Sequence, residues 1–590
     1  MEARKSIVIL DFGGQYAHLI ASRVRRSGVF SQIMDADTPI SALKDAAGII
    51  LSGGPQSVND SDSPQADPAI FDLGVPVLGI CYGLQWMTQA LGGEVSQGKT
   101  KEYGHTEIEM VGDGGSLFKD VQQQNLTVWM SHGDEASRLP EGFEQIATSD
   151  ACANSAFADV TRNFFAVQFH PEVTHTQHGD EILSNFVSLC DASPWSMESY
   201  AKQVAQEVKE EVGDRNVFML VSGGVDSSVA FVLLNQVLGV DRVQGLLIDT
   251  GMMRKGEVDY VLKAFADLGI TNLRVEEASE EFFGNLKEVY DPEEKRASIG
   301  NTFLDVQKRV SEEMNLSGDG WMLGQGTIYP DTIETGATKH SDKIKTHHNR
   351  VEAIQKMIDQ GLVIEPLKDL YKDEVRALGE EIGLPHELVW RHPFPGPGLG
   401  VRMLCATEPF MLDDFSSDVS VPYSVLPVKS VGVQGDGRTY RHALALHCSS
   451  AQLGDLATRI PNAHPEISRV LLCTSHSDPQ ELIFSPGYST AKRADLLREA
   501  DAIADEEMKK AGLYESIWQF PVVLLPFGTS NEGQSIVLRP IESVDAMTAN
   551  AVVLSDEVLN SMTKRIMALE GIDMVFLDLT NKPPGTIEWE

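Results

Sequence analysis

The sequence contains few cysteines and no pair of the CxxC kind. Its 590 residues include six, which are widely separated along the chain: Cys81, Cys152, Cys190, Cys405, Cys448 and Cys473. Disulfide frameworks and zinc ribbons space their cysteines closely, so both classes are excluded. Isolated thiols are typical of a reducing compartment, and we expect a cytoplasmic protein.

Positive charge and long hydrophobic runs are also scarce. The chain carries 48 Lys and Arg against 86 Asp and Glu, which gives a formal net charge of −38. A surface this acidic repels nucleic acids and anionic membranes, and no stretch approaches the ~18 uninterrupted apolar residues of a membrane span. We therefore expect no nucleic-acid partner and no membrane partner, and a phosphate ligand must be held by backbone dipoles and a few placed cations.

The length suffices for about four domains, and the first of them alternates strands with helices. Strand-like runs at residues 6–10, 48–51 and 75–80 each end in a glycine-containing turn, and the last is followed by an amphipathic segment at 84–91. Shorter strand-like pieces follow at 106–110, 128–130 and 164–169, with a helix around 180–190. This alternation is typical of an α/β sheet.

A Pro-Trp linker at residues 192–195 predicts the end of the first domain, which we place at 1–192. After a charged helix at 197–212, a second α/β unit opens with a strand, a turn, a helix and a strand, predicted at 216–221, 222–228, 229–238 and 242–248. Such a unit places a ligand at the carboxyl ends of parallel strands. We predict a doubly wound parallel-sheet domain over 193–402, because a Pro/Gly cluster at 391–400 ends the regular pattern.

The remaining residues, 403–590, are expected to form an α+β domain with an internal repeat. Residues 425–446 and 522–539 both read as an apolar strand, a glycine-containing turn and a second apolar strand. Two related subdomains are the prediction, one of them inserted at about 408–491, and a chance resemblance is the alternative.

Cys81 follows an apolar strand in the string Gly79-Ile80-Cys81-Tyr82-Gly83. A cysteine at such a turn is either a packed structural thiol or a nucleophile whose pKa is lowered by the start of the next helix. The flanking glycines favour the second interpretation, because a packing thiol needs no turn that tolerates positive φ.

His170 and Glu172 follow another strand, in Phe169-His170-Pro171-Glu172. Two residues apart at a strand end, they project to the same side, so one can act as base to Cys81 while the other orients the imidazole. A lone strand-end histidine is usually a surface residue, but three compatible groups favour catalysis. The turn Ser52-Gly53-Gly54-Pro55, after a third strand, can offer N–H groups to an oxyanion.

The strings GICYGLQ, QFHPEV and SGGP resemble those of class I glutamine amidotransferases. The resemblance covers approximately residues 6–190. It implies that Cys81 attacks the side-chain amide of glutamine, that His170 is the general base and that Glu172 is its partner. It also assigns glutamine and oxyanion binding to four further residues, Gly53, Gly54, Tyr82 and Gln85.

A second motif lies between a strand and a helix: Ser222, Gly223, Gly224, Val225, Asp226, Ser227 and Ser228. Two glycines allow the backbone to wrap an anion, and the helix N-terminus adds positive potential. It is not a Walker motif, because no Gly-Lys-Ser/Thr follows. The alternative interpretation is an ordinary strand-to-helix turn that binds no ligand.

The string SGGVDSS resembles the pyrophosphate loop of the N-type ATP pyrophosphatases. The resemblance implies cleavage of ATP between its α and β phosphates, with Mg²⁺ as cofactor and Asp226 as its contact. Asp249 closes the next strand and is assigned to ATP binding, although a helix cap is an equally good interpretation.

Nearly the whole chain resembles the long form of the glutamine-hydrolysing GMP synthases. The strings that carry this resemblance are LGQGTIYPDTIE, IKTHHN, EPLKDLYKDEVRALG, RHPFPGPGLGVR, SVGVQGDGRTY and the terminal KPPGTIEWE. Glutamine, ATP and xanthosine 5′-phosphate are the implied substrates, the last bound by Arg296, Asp436, Gln534, Lys582 and Glu588. The alternative is an amidotransferase that aminates another adenylylated acceptor, as a NAD synthetase does.

The resemblance leaves the oligomeric state open. Short members of the family pair their C-terminal domains in a dimer, whereas two related subdomains within this chain would satisfy part of that interface internally. A homodimer and a monomer are both compatible with the sequence. Since free ammonia is mostly protonated at neutral pH, we also expect glutamine hydrolysis to be suppressed until the second site is loaded.

Overall fold

The computed structural model describes residues 5–14, 16–112, 114–316, 320–329, 331, 357, 360–412, 415–416, 419–433, 438–449, 452–453, 455–543 and 548–590. Contacts group the chain into two compact units. One comprises Met1–Glu207, Thr327–Gln360 and Glu365–Glu381, and the other Val208–Gly326, Gly361–Ile364 and Ile382–Glu590. The division at residues 192 and 402 stays a prediction. Within the described residues, no helix is long and apolar enough to cross a membrane.

The first unit is built on a nine-stranded sheet of order β2-β1-β3-β4-β9-β8-β7-β5-β6. Its strands are β1 (Ser6–Asp11), β2 (Ser31–Asp35), β3 (Ala46–Leu51), β4 (Val77–Ile80), β5 (Glu94–Met110), β6 (Asn125–Arg138), β7 (Glu144–Ser149), β8 (Ala156–Asp159) and β9 (Phe164–Val167). The half from β2 to β9 is parallel, and the half from β9 to β6 is antiparallel. Every residue of β1 is buried, as expected of a parallel strand covered on both faces.

Among the described residues up to Glu207, this unit contains the helices α1 (Ala17–Arg26), α2 (Tyr82–Ala90), α3 (Gly179–Ser188) and the first part of α4 (Met197–Val212). The predicted strands at 6–10, 48–51 and 75–80 and the helix at 197–212 are confirmed. The pieces predicted at 106–110 and 128–130 are wrong in length: they belong to β5 and β6, a long antiparallel pair. In β5 and β6 only alternate side chains are buried, so charged residues interrupt the apolar runs by which a strand is recognised in a sequence.

The second unit contains a five-stranded parallel sheet of order β12-β11-β10-β13-β14. Its elements are β10 (Asn216–Leu220), α5 (Val225–Leu238), β11 (Val243–Asp249), α6 (Glu257–Asp267), β12 (Leu273–Glu277), α7 (Ser279–Asn285), α8 (Pro292–Glu313), β13 (Trp321–Gly324) and β14 (Val363–Ile364). Two more helices follow in the chain, α9 (Lys372–Glu381), which lies in the first unit, and α10 (His386–Val389).

The helix predicted at 229–238 begins earlier than expected, at Val225. Gly224 is its N-cap, with φ −63° and ψ 158°. Residues 225–228, predicted as turn, already form the first helical turn. Asp and Ser signal turns in a sequence, yet they are also favoured at the start of a helix.

The C-terminal region forms a six-stranded sheet of order β15-β16-β17-β24-β21-β19. The elements from Tyr423 onward are β15 (Tyr423–Val433), β16 (Arg438–Leu446), α11 (Leu456–Ala463), β17 (Ile467–Cys473), β18 (Ile483–Phe484), α12 (Ala491–Lys510), β19 (Val522–Leu525), β20 (Phe527–Gly528), β21 (Gln534–Leu538), β22 (Ile541–Glu542), β23 (Asn550–Ala551), α13 (Asp556–Ile566) and β24 (Ile572–Asp578).

The two halves of this sheet repeat one pattern, a β-hairpin followed by a helix and a parallel strand. β16 pairs with β17 as β21 pairs with β24, and both pairs shift register after their first residue, at His442 and at Gln534. The halves join antiparallel through β17 and β24. The predicted repeat therefore corresponds to two related halves, which share one continuous sheet.

Candidate active sites

Cys81 lies at a sharp turn between β4 and α2. Its backbone has φ 53° and ψ −105°, a conformation that is rare for a residue with a side chain and is typical of functional turns. Its N–H donates to the carbonyl O of Val167 at 2.8 Å, and its thiol donates to the carbonyl O of Ser131 at 3.5 Å. The turn therefore fixes the thiol at the carboxyl end of the parallel strands.

The glycines that flank Cys81 serve a different purpose from the one expected. It is Cys81 that takes the positive φ, whereas Gly79 and Gly83 do not. A Cβ at Gly83 would lie 2.2 Å from the carbonyl O of Leu51. Gly83 is thus required for the close packing of α2 on β3, which in turn holds Cys81 in its strained conformation.

His170 and Glu172 form a buried pair beside Cys81. Nδ1 of His170 lies 2.7 Å from Oε1 of Glu172, and the Glu172 side chain is fully buried. Burial lowers the pKa of His170, but the charges of Glu172 and Cys81 raise it well above its ordinary value. The charge of Glu172 therefore stabilises the imidazolium that forms when His170 takes the thiol proton.

The backbone of His170 is fixed as firmly as its ring. Its N–H donates to the carbonyl O of Trp129 at 3.0 Å, and its carbonyl O accepts from the Thr176 hydroxyl at 2.6 Å. The ring of Tyr16, the N-cap of α1, packs edge-on against the imidazole with 5.4 Å between centroids. The residue that begins α1 thus contacts the imidazole directly.

The turn that contains Gly53 and Gly54 adjoins the thiol and the imidazole. A Cβ at Gly53 would lie 3.1 Å from Cε1 of His170 and 3.9 Å from Cβ of Cys81. The Ser52 hydroxyl accepts from the Phe12 N–H at 3.0 Å and so fixes the turn. The structure brings this predicted oxyanion turn to the nucleophile.

Tyr82 and Gln85, predicted to bind glutamine, occupy the first turn of α2. The Tyr82 hydroxyl donates to the carbonyl O of Pro64 at 2.7 Å, and its ring packs on Phe12. Because this side chain belongs to the core, only the backbone of Tyr82 is available for the predicted role. Gln85 Nε2 donates to the carbonyl O of Asp134 at 2.8 Å, so Gln85 holds residues 131–134 of β6.

The role of residues 131–134 was missed from the sequence. The carbonyl O of Ser131 contacts the Cys81 thiol, and His132 bonds to buried Glu102 with 3.0 Å between Nε2 and Oε2. Glu102, His132 and Cys152 bring one ligand atom each to within 4.8 Å of the others. The signal was the polar string Ser-His-Gly-Asp inside a strand pattern.

The Ser222–Ser228 loop connects β10 to α5 and is held by its own side chains. Ser222 N–H donates to the Ser227 hydroxyl at 3.2 Å, the two hydroxyls lie 3.0 Å apart, and Gly224 N–H donates to the Ser222 hydroxyl at 3.2 Å. Gly223 takes φ 75°, which lets the backbone curve around an anion at the helix start. Ser228 is fully buried, and its hydroxyl finds no hydrogen-bond partner within the described ranges.

Asp226 and Asp249 lie at neighbouring strand ends. Asp226 is in the first turn of α5, and Asp249 ends β11, whose partner β10 leads into the loop. The Asp249 carboxylate accepts from the Gly251 N–H at 2.8 Å. This carboxylate therefore caps a turn and not a helix, because the next helix begins only at Glu257, and it lies at the edge where a nucleotide is expected.

Two of the residues predicted to bind the xanthine nucleotide hold the C-terminus. Glu588 accepts from Arg402 at 3.1 Å (Nε) and 3.0 Å (Nη2), and Arg296 donates to the main-chain O of Glu590. Sequence reasoning missed Lys295, which is fully buried and donates to Glu590. Its only signal is its place beside Arg296.

Gln534 begins β21, and Lys582 lies shortly after β24. Gln534 Oε1 accepts from Arg493 Nε at 2.8 Å, and the Lys582 N–H donates to the carbonyl O of Ala549 at 2.7 Å. Asp436 lies outside the described residues.

Three family models match the chain in succession. Glutamine amidotransferase class-I matches residues 8–190, NAD synthase 196–310 and GMP synthase C terminal domain 506–589. The "Probable GMP synthase [glutamine-hydrolyzing]" of Leptospira interrogans is 47% identical, with 100% of both chains covered.

The chain belongs to the glutamine-hydrolysing GMP synthase family. Further members resemble it over nearly their whole length. The enzyme of Lactobacillus gasseri is 38% identical over 99% of this chain and 98% of its own, and that of Clostridium acetobutylicum is 38% identical over 100% of both. A solved putative GMP synthase subunit from Thermoplasma acidophilum is 30% identical over 34% of this chain and 98% of its own, with a TM-score of 0.29.

Membership of the GMP synthase family accounts for the order of the three regions. A class I amidotransferase α/β region, a parallel-sheet ATP pyrophosphatase region and an α+β C-terminal region follow one another, as the sequence predicted. A NAD synthetase is not favoured, because the C-terminal match is to the GMP synthase domain and the full-length relatives are GMP synthases.

Magnesium, which the ATP loop of this family implies, suits the donor atoms at the loop. The cation prefers oxygen ligands and usually keeps some of its waters while sharing phosphate oxygens. The Asp226 carboxylate and the hydroxyls of Ser222 and Ser227 are oxygen donors on one loop and the first turn of one helix.

Proposed function

We propose that this protein is a carbon–nitrogen ligase that aminates xanthosine 5′-phosphate to GMP in guanine nucleotide synthesis. Glutamine supplies the nitrogen, and ATP is cleaved to AMP and pyrophosphate. The observation that carries the proposal is that one chain contains two sites. The first is a strained Cys81 beside a buried His170–Glu172 pair, and the second is an anion loop at Ser222–Ser228. One half liberates ammonia, and the other activates its acceptor.

In the glutaminase reaction, His170 takes the proton of Cys81, and the thiolate attacks the side-chain carbonyl of glutamine. The backbone N–H groups of the Gly53–Gly54 turn and of Tyr82 stabilise the resulting oxyanion. The imidazolium then gives its proton to the departing nitrogen, which leaves as ammonia. Finally His170 takes a proton from water, which hydrolyses the glutamyl thioester, while Glu172 keeps the imidazole oriented throughout.

In the synthetase reaction, the Ser222–Ser228 loop cradles the ATP phosphates with its backbone N–H groups and hydroxyls. Mg²⁺, held by Asp226, would neutralise phosphate charge when bound. The loop orients the α-phosphate so that the C2 oxygen of the xanthine attacks it and pyrophosphate leaves. Ammonia then displaces AMP from the adenylylated base.

The nucleotide-binding roles of Arg296, Gln534, Lys582 and Glu588 are part of this proposal. Their support is partial, because Glu588 pairs with Arg402 and Arg296 bonds to the terminal residue. Nucleotide binding at these residues would therefore exchange a contact within the protein for one with the ligand.

A monomer is the oligomeric state that we propose. The two halves of the C-terminal sheet already pair through β17 and β24. This pairing supplies within one chain the interface that two copies supply in a dimer.

We also propose a cytoplasmic location, because the six cysteines are free, as is usual in a reducing compartment. The net charge of −38 disfavours nucleic-acid partners.

The deciding experiment supplies the purified protein with ATP, Mg²⁺, xanthosine 5′-phosphate and glutamine labelled with ¹⁵N at its amide. We expect ¹⁵N-labelled GMP together with one AMP and one pyrophosphate per turnover. A protein that releases pyrophosphate only with another acceptor, such as a nicotinate dinucleotide, would instead be a NAD synthetase-like enzyme.

A further inference from the structure

Three side chains that carry metal-ligand atoms meet in the antiparallel half of the first sheet. Glu102 on β5 and His132 on β6 are direct cross-strand partners, and Cys152 lies in the connection from β7 to β8. One ligand atom from each lies within 4.8 Å of the other two, and all three residues are buried. They belong to the same compact unit. The glutaminase and synthetase reactions use none of them chemically.

The His132 imidazole presents an acceptor nitrogen to a carboxylate. Its Nδ1 lies 3.0 Å from the carbonyl O of Asp134 and carries a proton, because a carbonyl only accepts. Its Nε2 lies 3.0 Å from Oε2 of Glu102. Two acceptors at this distance require a proton or a metal ion between them. A histidine that ligates a metal almost always donates its other ring N–H to a carbonyl or a carboxylate, and Asp134 provides that partner.

The Ser149 hydroxyl orients the other two ligand residues. It donates to Oε1 of Glu102 at 3.1 Å and accepts from the Cys152 N–H at 3.0 Å. The Ser149 N–H also donates to the carbonyl O of Cys152 at 2.9 Å, so the backbone around the thiol is fixed. Outer partners of this kind hold metal ligands in place. All three ligand residues therefore have the supporting contacts that a metal site requires.

The surroundings of the Cys152 thiol are anionic. Burial, followed by the charges of Glu135 and Glu102, raises the pKa of this thiol to about 12. A bound cation reverses such an effect, because its own charge dominates the local field and deprotonates a coordinating thiol. A divalent ion that replaces both the thiol proton and the proton shared by His132 and Glu102 leaves the net charge of the cluster unchanged. This exchange, which releases both protons to solvent, therefore buries no uncompensated charge.

The donor set selects zinc among the common divalent ions. Thiolate and imidazole suit Zn²⁺, whereas Mg²⁺ and Ca²⁺ take oxygen ligands. Zinc bonds of about 2.0–2.3 Å at tetrahedral angles place the ligand atoms about 3.4–3.6 Å apart. The spacing of 3.0 Å between Nε2 and Oε2, with 4.8 Å as the outer limit of the cluster, reaches these values by side-chain shifts of about 1 Å. Three protein ligands leave the fourth position to a water molecule.

We propose that Glu102, His132 and Cys152 form a Zn²⁺ site. The ion joins β5, β6 and the connection that follows β7. Its role is structural, because it takes no part in the attack by Cys81 and instead fixes residues 131–134 of β6, one of whose carbonyls accepts from that thiol. Zinc binding at this site does not depend on which acceptor the protein aminates.

The first test measures the metal content of the full-length protein, purified without a polyhistidine tag. The protein is incubated with ZnCl₂ in the presence of excess Mg²⁺, dialysed and analysed by plasma mass spectrometry. We expect about one zinc per chain in the wild type and its loss in Cys152→Ala and Glu102→Gln. Cys448→Ala removes a thiol outside the cluster, and Glu107→Gln removes an exposed carboxylate on the same strand. Both controls should keep the zinc.

Two further measurements do not require a change in any of the three ligands. Wild-type protein loaded with Co²⁺ should show the near-ultraviolet absorption of a cobalt–thiolate bond and the intense visible bands of tetrahedral coordination. Ser149→Ala removes an outer partner only, so we expect its zinc affinity to fall by about 10- to 100-fold. Competition with a chromophoric zinc chelator measures this change.

Wild-type protein that retains no zinc, or a Co²⁺ spectrum without the thiolate band, overturns the proposal and leaves Glu102 and His132 as a pair that shares a proton. Zinc that stays in both Cys152→Ala and Glu102→Gln also overturns it, because the ion then lies elsewhere, for example at the three histidines of residues 340–348. None of these measurements involves GMP formation. Failure of the zinc site is therefore distinguishable from failure of the proposed function.

Discussion

Nε2 of His132 lies 3.0 Å from Oε2 of Glu102, and both side chains are buried. The other ring nitrogen, Nδ1, lies 3.0 Å from the carbonyl O of Asp134. A carbonyl only accepts, so Nδ1 carries a proton and the second bond requires a proton shared with Glu102. The pair therefore fixes residues 131–134 of β6, which contact both Cys81 and Gln85.

Glu102→Gln is expected to weaken glutamine binding without touching the synthetase reaction. A hydrogen bond to a charged group contributes about 1.5–3 kcal/mol, so the KM for glutamine should rise roughly 10- to 100-fold. Steady-state kinetics with glutamine and with ammonium separate the two reactions. Glu107→Gln, an exposed change on the same strand, is the control. An unchanged KM would show that the position of residues 131–134 does not depend on this pair.

Cys81→Ala and Asp226→Ala should separate the two reactions. Without its thiol the protein cannot form the thioester, so glutamine-dependent synthesis is lost while synthesis from ammonium persists. Without the Asp226 carboxylate, both should be lost, because acceptor activation precedes either nitrogen source. GMP formation measured with each source, with Cys448→Ala as a thiol control, checks the division. Equal losses in the two variants would contradict it.

Glu172→Gln should lower the pKa of His170. The charges of Glu172 and Cys81 hold this pKa well above its ordinary value against the effect of burial, and the substitution removes one of them. We expect glutamine hydrolysis to fall by about 10²- to 10⁴-fold, the usual contribution of a positioned acid–base group. The NMR titration of the imidazole in the two proteins measures the shift. A pKa that does not move would exclude an electrostatic role for Glu172.

Asp578→Asn should destabilise the C-terminal sheet severely. The Asp578 carboxylate is buried between Arg469 and Arg539, with Nη1 atoms at 2.9 and 2.8 Å, and it also accepts from Trp589. Removing the charge leaves two buried cations uncompensated, at a cost of about 3–5 kcal/mol in the free energy of unfolding. Denaturant unfolding of the wild type and the variant measures this loss in the free energy of unfolding. Glu506→Gln, in an exposed pair with Arg565, should cost less than about 1 kcal/mol.

The same carboxylate should make stability depend on acid pH. Burial raises the pKa of the Asp578 carboxyl. The charges of Arg539 and Arg469 lower this pKa by a larger amount, so it lies below its ordinary value. A lowered folded-state pKa stabilises the protein above the unfolded-state pKa of about 4, and this contribution is lost as the pH falls through the folded-state value. The stability difference between wild type and Asp578→Asn should therefore narrow below about pH 4. A constant difference would show that the charge is not responsible.

The repeat in the C-terminal region shows both what a sequence pattern reveals and where it stops. Apolar strands around glycine turns predict two related segments, because alternation and turn residues are local properties. That both halves share one sheet, joined through Leu471 and Asp578, depends on pairing between residues about a hundred positions apart.

The sequence by itself determined the chemistry: Cys81, His170 and Glu172 at strand ends, and the serine and glycine loop before α5, each follow from residue type and local spacing. Only the tertiary structure decided how those groups are held. The strained turn at Cys81, the pair of Glu102 with His132, and Arg25 with Glu374 across 349 positions depend on burial. A buried charge is stable only beside the partner that compensates it, and which residue becomes that partner is set by folding, not by neighbours in the chain.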